Sequence, residues 1–132
     1  MAENSYSPYF SSEDSIPALI ERCARERPDH VYCSDAAGAI TCRDLDRQTS
    51  HLARGLFDAG VRAGSHVAVM LAHHIDHALV FFALAKIGAV NVPVNVHLKG
   101  AGLEHVLRHS QAAFIIAESD YAEALQPLAE VT

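Results

Sequence analysis

Histidine side chains are the residues of this sequence whose number and spacing first suggest chemistry. Nine histidines occur in 132 residues, and two pairs, His73 with His77 and His105 with His109, are spaced four apart. Two imidazoles at that spacing share one face of a helix and can both bind zinc. A zinc site needs a third ligand, however, and no HExxH motif supplies a general base. We therefore interpret these residues, with the neighbouring His74, as surface or helix-capping histidines and predict no metal site.

Carboxylates and glycines likewise form no recognisable catalytic arrangement. Asp44, Asp46, Asp58 and Asp76 fall on the polar faces of expected helices, so solvated carboxylates are the simplest interpretation. The sequence contains no GxSxG nucleophile motif and no GxGxxG or GxxxxGK[ST] phosphate loop. Composition and spacing alone therefore predict a folded α/β domain that carries no catalytic residue of its own.

The three cysteines, Cys23, Cys33 and Cys42, form neither a CxxC motif nor a metal-ligand pattern. An odd cysteine count without a recognisable signal peptide predicts reduced thiols and a cytoplasmic location. In the expected hairpin, Cys33 and Cys42 lie diagonally opposite, roughly 7–8 Å apart, which is too far for an unstrained disulfide. We expect these thiols to act as small hydrophobic residues.

Charge and hydropathy exclude two classes of partner. The net charge is −6 and the basic residues are scattered singly, so neither nucleic acid nor an anionic membrane surface is an expected partner. The longest apolar run, 78–92, is interrupted by Lys86, Gly88 and Asn91, which makes it too short and too polar for a transmembrane segment.

Hydrophobic periodicity predicts that strands and helices alternate after a loose lead-in at 1–13, with one domain at 14–132. The fold class expected is α/β: a layered, mostly parallel sheet with flanking helices and a short N-terminal β-hairpin. The expected elements are a helix capped by Asp14 or Ser15 and ended by Pro28, hairpin strands at 31–34 and 39–41, a helix from Thr41 to Gly60, a buried strand at 67–71, a helix at 75–87, a strand at 89–94, a helix at 100–109, a strand at 113–117 and a helix at 121–128.

One segment points to a particular protein family, which these general patterns do not. The run Phe81–Asn95, FFALAKIGAVNVPVN, resembles the second core motif of the adenylate-forming (AMP-binding) superfamily. Thr41–Leu45, TCRDL, resembles the family's Thr-Tyr-x-Glu-Leu motif, with Cys42 in place of the aromatic residue. The family's next segments follow in the same order: they correspond to Leu52–Leu71 and to the helix and strand after Leu103. The resemblance therefore covers roughly Asp14 to Leu128. At 72–74 this chain has Ala-His-His where the family usually has Pro-Asn-Ser, so a helix cap is altered.

The resemblance implies an AMP-forming acyl-CoA synthetase that uses ATP, Mg and CoA to activate a carboxylic acid, fatty or aryl, by way of an acyl-adenylate. Pro93–Leu98, PVNVHL, favours this branch over peptide-synthetase domains, which usually carry Asp-Pro-x-Tyr-Pro there. The family's phosphate loop would follow Thr132, so we expect an N-terminal fragment that is inactive by itself, binds none of these cofactors tightly and self-associates. Two alternatives are a self-contained α/β binding module and an adenylation domain that feeds a carrier protein.

Three residues are the only candidates for contact with a ligand. Asn95, Val96 and His97 follow the expected strand 89–94, and ligands of parallel sheets gather beyond the carboxyl ends of strands. The resemblance implies that this loop faces CoA in the parent enzyme. The alternative is that Asn95 only ends the strand by bonding its own backbone.

Overall fold

The computed structural model describes residues 15–129, and the chain enters it through a short capped helix. Helix α1 spans Ile16–Glu26. The hydroxyl of Ser15 accepts a hydrogen bond from the Ala18 N–H at 3.3 Å, and Pro17 lies in the first turn. Both features confirm the predicted helix start. The predicted lead-in at 1–13 lies outside the described residues.

A two-stranded antiparallel hairpin follows α1. Strand β1, Val31–Asp35, pairs with β2, Gly38–Thr41. Cys33 faces Ile40 and Ser34 faces Ala39, as the sequence predicted. The Asp35 carboxylate closes the turn because its Oδ1 accepts hydrogen bonds from the N–H groups of residues 37 and 38, at 2.8 and 3.1 Å.

The cysteine pairing corrects the prediction of three reduced thiols. The sulphur atoms of Cys23 and Cys42 are in bonding contact, with their Cα atoms 5.7 Å apart, while Cys33 keeps a free thiol. The prediction weighed only Cys33 against Cys42, because both belong to the hairpin region. The true partner of Cys42 lies on α1, and the packing of α1 against the hairpin and α2 is not visible in the spacing of the cysteines.

Helix α2 spans Cys42–Asp58 and starts and ends where its capping residues predict. The Thr41 hydroxyl accepts from the Asp44 N–H at 3.3 Å. At the other end the backbone of Gly60 adopts φ +112°, a conformation that side-chain-bearing residues rarely take. The glycine therefore stops the helix and turns the chain into the sheet.

Three parallel strands form the sheet of the described domain. Strand β3, His66–Met70, is central and lies between β4, Val90–Pro93, and β5, Phe114–Ala117. Both pairings are parallel. Residues 67–70 of β3 are all buried, which confirms the strand predicted to be covered on both faces.

Helices cover the two faces of this sheet. Helix α3, Ile75–Ile87, and helix α4, Gly100–His109, have the bounds that the sequence predicted. Alternate side chains of the segment 67–71 point to opposite faces, giving one core with α2 and α3 and a second core with α4 and the C-terminal turns. The first contains Val67, Val69, Leu71, Val80 and Leu84; the second contains Ala68, Met70, Leu103, Leu107 and Leu128. The predicted layered α/β fold is confirmed.

The C-terminal segment differs from the single helix predicted at 121–128. It consists of a 3-10 turn at Ser119–Tyr121, a one-turn helix α5 at Ala122–Leu125 and a second 3-10 turn at Gln126–Leu128. Pro127 has no N–H and cannot continue an α-helical hydrogen-bond ladder, which explains the break. Among the helices of residues 15–129, none combines the length and the apolar character that crossing a membrane requires.

Candidate functional site

The three parallel strands end along the same edge of the sheet, which we call the carboxyl edge. Residues 71–74 follow β3, residues 94–99 follow β4, and Glu118 follows β5. In sheets of this kind ligands bind beyond the carboxyl ends of the strands. The carboxyl edge is therefore the part of the described chain where a functional site is expected.

Glu118 joins two of these loops. Its Oε1 accepts a hydrogen bond from the Ala72 N–H at 2.9 Å and is also hydrogen-bonded to Nε2 of His74. The hydrogen bond from His74, followed by that from Ala72, lowers the pKa of Glu118 below its ordinary value. Glu118 is therefore held as a carboxylate that fastens the loop after β3 to the end of β5.

Asp35 fastens the same loop to the hairpin. Its Oδ2 accepts a hydrogen bond from the Ile75 N–H, the first residue of α3, at 2.9 Å. That bond is the largest cause of a lowered pKa at Asp35, and the bond from Ala37 is the next. The N-cap residue of α3, His74, makes no capping bond with its own side chain. At 72–74, where this chain lacks the usual Pro-Asn-Ser of the family, the cap of α3 is thus supplied by a carboxylate from the hairpin.

A half-buried ion pair links α2 and α3 on one face of the sheet: Asp46, interpreted from the sequence as a solvated carboxylate, is 32% exposed and is paired with Lys86. The Lys86 ammonium donates to Asp46 Oδ1 at 2.6 Å, to the Asp46 carbonyl at 3.0 Å and to the Ser50 hydroxyl at 2.8 Å. The Lys86 side chain is only 9% exposed. Lys86, the lysine of the Phe81–Asn95 segment, therefore positions α3 against α2 and does not point to solvent.

The loop after β4 contains the three residues predicted to face CoA. The Asn95 side-chain oxygen accepts from the His97 N–H at 2.9 Å, and the Asn95 carbonyl accepts from the Leu98 N–H at 3.0 Å. Val96 packs on the second core, while Asn95 and His97 are exposed. The Asn95 side chain thus bonds the backbone of the residue two positions further on. The role toward CoA stays a prediction.

A cleft of about 700 Å³ opens beside this loop, and its charges test whether a nucleotide would fit. His97 and Lys99 come from the loop after β4, whereas Asp120 and Glu123 come from the segment after β5. Because the cleft carries both basic and acidic side chains, it has no excess positive charge that would attract a polyphosphate. The cleft residues therefore define a polar recess and do not by themselves form a CoA or ATP site.

The histidine pairs stack but bring no third ligand with them. The ring centroids are 6.2 Å apart for His73 and His77 and 5.5 Å apart for His105 and His109. Within residues 15–129 no group of three or more His, Cys, Asp or Glu side chains is arranged to hold a metal ion. We derive no catalytic step through Mg·ATP from these residues.

Sequence reasoning missed Glu118 and Asp35 as organisers of the carboxyl edge. One signal could have indicated Glu118: it directly follows the strand β5, just as Asn95 closely follows β4. The rule that points to Asn95 applies equally to Glu118. Asp35 carried no comparable signal, since its partner Ile75 lies 40 residues away in the sequence.

Comparison with known proteins agrees with this fold. The model of the family described as AMP-binding enzyme matches residues 20–132. Feruloyl-CoA synthase from Amycolatopsis is 36% identical over 82% of this chain, and the tripeptide synthetase PhsC from Streptomyces viridochromogenes is 32% identical over 82% of it. The crystal structure of a long-chain-fatty-acid-CoA ligase, FadD1, from Archaeoglobus fulgidus superposes with a TM-score of 0.85 over 93% of this chain, at 27% identity.

The chain belongs to the family of AMP-binding, adenylate-forming enzymes. It spans only part of the length of these relatives: 22% of feruloyl-CoA synthase, 10% of PhsC and 26% of the FadD1 chain. The family resemblance seen in the four sequence motifs is confirmed. The relatives include CoA ligases as well as a peptide synthetase, so they do not distinguish CoA from a carrier protein as the thiol acceptor.

Proposed function

We propose that this chain is the N-terminal part of an ATP-dependent acid–thiol ligase that converts a fatty or aryl acid into its acyl-adenylate and then into a CoA thioester. The observation that carries the proposal is the segment Phe81–Asn95. It forms α3, the left-handed turn at Gly88, β4 and the Asn95 turn, in the order of the family motif. The CoA-ligase branch is supported by the sequence after Pro93 and by the similarity to feruloyl-CoA synthase.

In this proposal the chain supplies a scaffold. The buried β3 strand and its two helix layers hold the loops of the carboxyl edge, while Asp35 and Glu118 fix where the loop after β3 runs. Positioning of this kind can contribute to the reaction rate, because reacting groups held in alignment avoid much of the entropic cost of meeting. Neither carboxylate is assigned a proton-transfer role, since both are occupied by backbone N–H groups.

The test uses the full protein encoded by the gene that contains this chain. A panel of fatty, aryl and amino acids is assayed for acid-dependent pyrophosphate exchange into ATP and for thioester formation with free CoA. We expect exchange and CoA thioester with the same acid. Exchange without CoA thioester, together with loading of a phosphopantetheine carrier protein, would instead assign the chain to the second candidate, an adenylation domain, which the similarity to PhsC favours.

The 132-residue chain provides the complementary measurement. Because it lacks a glycine-rich phosphate loop, we expect it neither to exchange pyrophosphate nor to bind ATP tightly. The full-length protein assayed in parallel is the positive control. Acid-dependent exchange by the purified 132-residue chain would contradict the scaffold role.

A further inference from the structure

Helix α1 is held to the domain by few buried side chains. Of its eleven residues only Ile20 is buried, at 5% exposure, where it packs with Ile40 and Leu45. Two other apolar residues of the helix, Ile16 and Leu19, remain about 40% exposed. A helix of this length is marginal in water without tertiary contacts. Any covalent link from α1 to the rest of the fold therefore has a large relative effect on its attachment.

The Cys23–Cys42 pair is placed to make that link. Cys23 is half-buried in the last turn of α1, and Cys42 is fully buried as the first residue of α2. Their Cα separation of 5.7 Å lies within the usual range for a disulfide. The two cysteines are 19 positions apart, so the bond encloses both hairpin strands. The third cysteine, Cys33, lies inside this loop with a free thiol.

We propose that Cys23 and Cys42 form a reversible, redox-responsive disulfide that tethers α1 to the start of α2. Cys23 is the more accessible of the two, so its thiolate would attack a low-molecular-weight disulfide such as oxidised glutathione, releasing one reduced glutathione. The Cys42 thiolate then displaces the second glutathione and closes the protein disulfide. Overall, two protein thiols lose two electrons and two protons, and one glutathione disulfide becomes two thiols.

The disulfide is expected to raise the stability of the folded domain. Closing a loop of this size removes conformational freedom from the unfolded chain, and the stabilisation predicted by chain entropy is large for a small domain. In the reduced state the Cys42 thiol remains a small apolar group in the core, and the Cys23 thiol remains half-buried. The domain therefore keeps its fold in both states, while the attachment of α1 differs between them.

The first experiment counts thiols. The 132-residue chain and its Cys33→Ser variant are equilibrated in oxidised or reduced glutathione, quenched with acid, alkylated in denaturant and weighed by mass spectrometry. After oxidation we expect one alkylated thiol in the parent chain and none in Cys33→Ser, with the mass lower by two hydrogens. Two alkylated thiols, or two glutathione adducts, in oxidised Cys33→Ser would overturn the proposal.

The second experiment measures melting temperatures in the same two redox buffers. The oxidised parent chain is expected to melt on the order of 10 °C above the reduced chain. Cys33→Ser should keep this difference, and Cys23→Ser, which changes a half-buried residue, should lose it. Cys42→Ala provides a second variant that lacks the bridge. A disulfide that forms without a difference in melting temperature, or a difference that survives in Cys23→Ser, would show that the pair does not tether α1.

Discussion

At the residue scale, the carboxylates of Asp35 and Glu118 act as acceptors for backbone N–H groups. Asp35 receives the first N–H of α3, and Glu118 receives that of Ala72 together with a bond from His74. Each carboxylate satisfies backbone groups that a loop would otherwise leave to water. These hydrogen bonds explain why both side chains have lowered pKa values although neither belongs to a catalytic pair.

The lowered pKa of Glu118 predicts a specific dependence of stability on pH. The folded-state pKa lies below the ordinary value of 4.5, so the stabilisation is fully present above that value and is lost as pH falls through the folded-state pKa. Glu118→Gln should therefore melt a few degrees below the parent chain at pH 7, and the two should converge in acid. Thermal unfolding followed between pH 7 and acid checks this.

The matched control for this experiment is Glu123→Gln. Glu123 is exposed on α5 and belongs to the same C-terminal segment. Its substitution should leave the melting temperature near that of the parent at every pH. A Glu118→Gln curve that stays parallel to the parent curve down to low pH would show that the carboxylate charge contributes nothing.

His97 allows a test of the predicted CoA-side loop in the full-length enzyme. His97 is exposed, and only its backbone N–H takes part in the Asn95 turn. If the loop faces CoA, His97→Ala should raise the apparent KM for CoA and leave acid-dependent pyrophosphate exchange unchanged. His105→Ala, on the exposed face of α4, is the control. An equal loss in both half-reactions would assign the loop to folding and not to CoA.

At the element scale, α3 shows how a local signal can fix the C-terminal end of a helix. Its C-terminal glycine, Gly88, has φ +80° and completes a Schellman pattern, in which Ala89 N–H bonds the Leu84 carbonyl at 3.0 Å. A Cβ at Gly88 would meet the Cβ of Ala63 at 3.5 Å, an ordinary contact. The requirement for glycine is therefore conformational and not a matter of space.

Gly88→Val should destabilise the domain by about 1–2 kcal/mol or more, because a β-branched residue is strained in the left-handed conformation. Urea unfolding is the measurement. Gly55→Ala is a control of opposite sign: Gly55 lies inside α2 with open space around it, so alanine should stabilise by about 1 kcal/mol. The cost of Gly88→Val should also exceed that of His105→Ala. An unchanged unfolding midpoint would show that the helix does not end at Gly88.

Elements defined by neighbouring residues were predictable from the sequence, and contacts between distant residues were not. The apolar run and Gly88 gave the bounds of α3, and turn residues gave the hairpin register. The Cys23–Cys42 contact and the Lys86–Asp46 ion pair depend on how α1 and α3 pack on α2, which no local pattern encodes. At the carboxyl edge the loop at 95–97 was indicated by its position after a strand, whereas Asp35 and Glu118, which hold the loop after β3, come from other segments of the chain.

At the scale of the whole molecule, a three-stranded sheet lies between two helix layers, and its two outer strands carry exposed apolar side chains. Val90 on β4 and Ile115 on β5 are 43% and 42% exposed, and Phe81 on α3 is 38% exposed. Outer strands with apolar side chains offer backbone and surface for association. We therefore expect the 132-residue chain to self-associate.

Sedimentation velocity over a range of concentrations tests this expectation. The parent chain should show a mass that grows with concentration, and Ile115→Lys should reduce the growth by placing charge on an outer strand. Phe57→Ala is the control, since Phe57 is equally exposed but lies on α2 and stacks with Arg62 at 3.8 Å. A monomer at high concentration would favour the self-contained binding module.

The carboxylate links at the carboxyl edge also have a consequence for the order of folding. They join positions 40, 44 and 46 residues apart, so closing them costs chain entropy, and we expect them to form late, once the hairpin, α3 and β5 have come together. Interactions absent from the folding transition state slow unfolding without speeding folding. Asp35→Asn and Glu118→Gln should therefore unfold faster in stopped-flow experiments while refolding at nearly the parent rate. These two side chains would then govern how long the domain stays folded once it has formed.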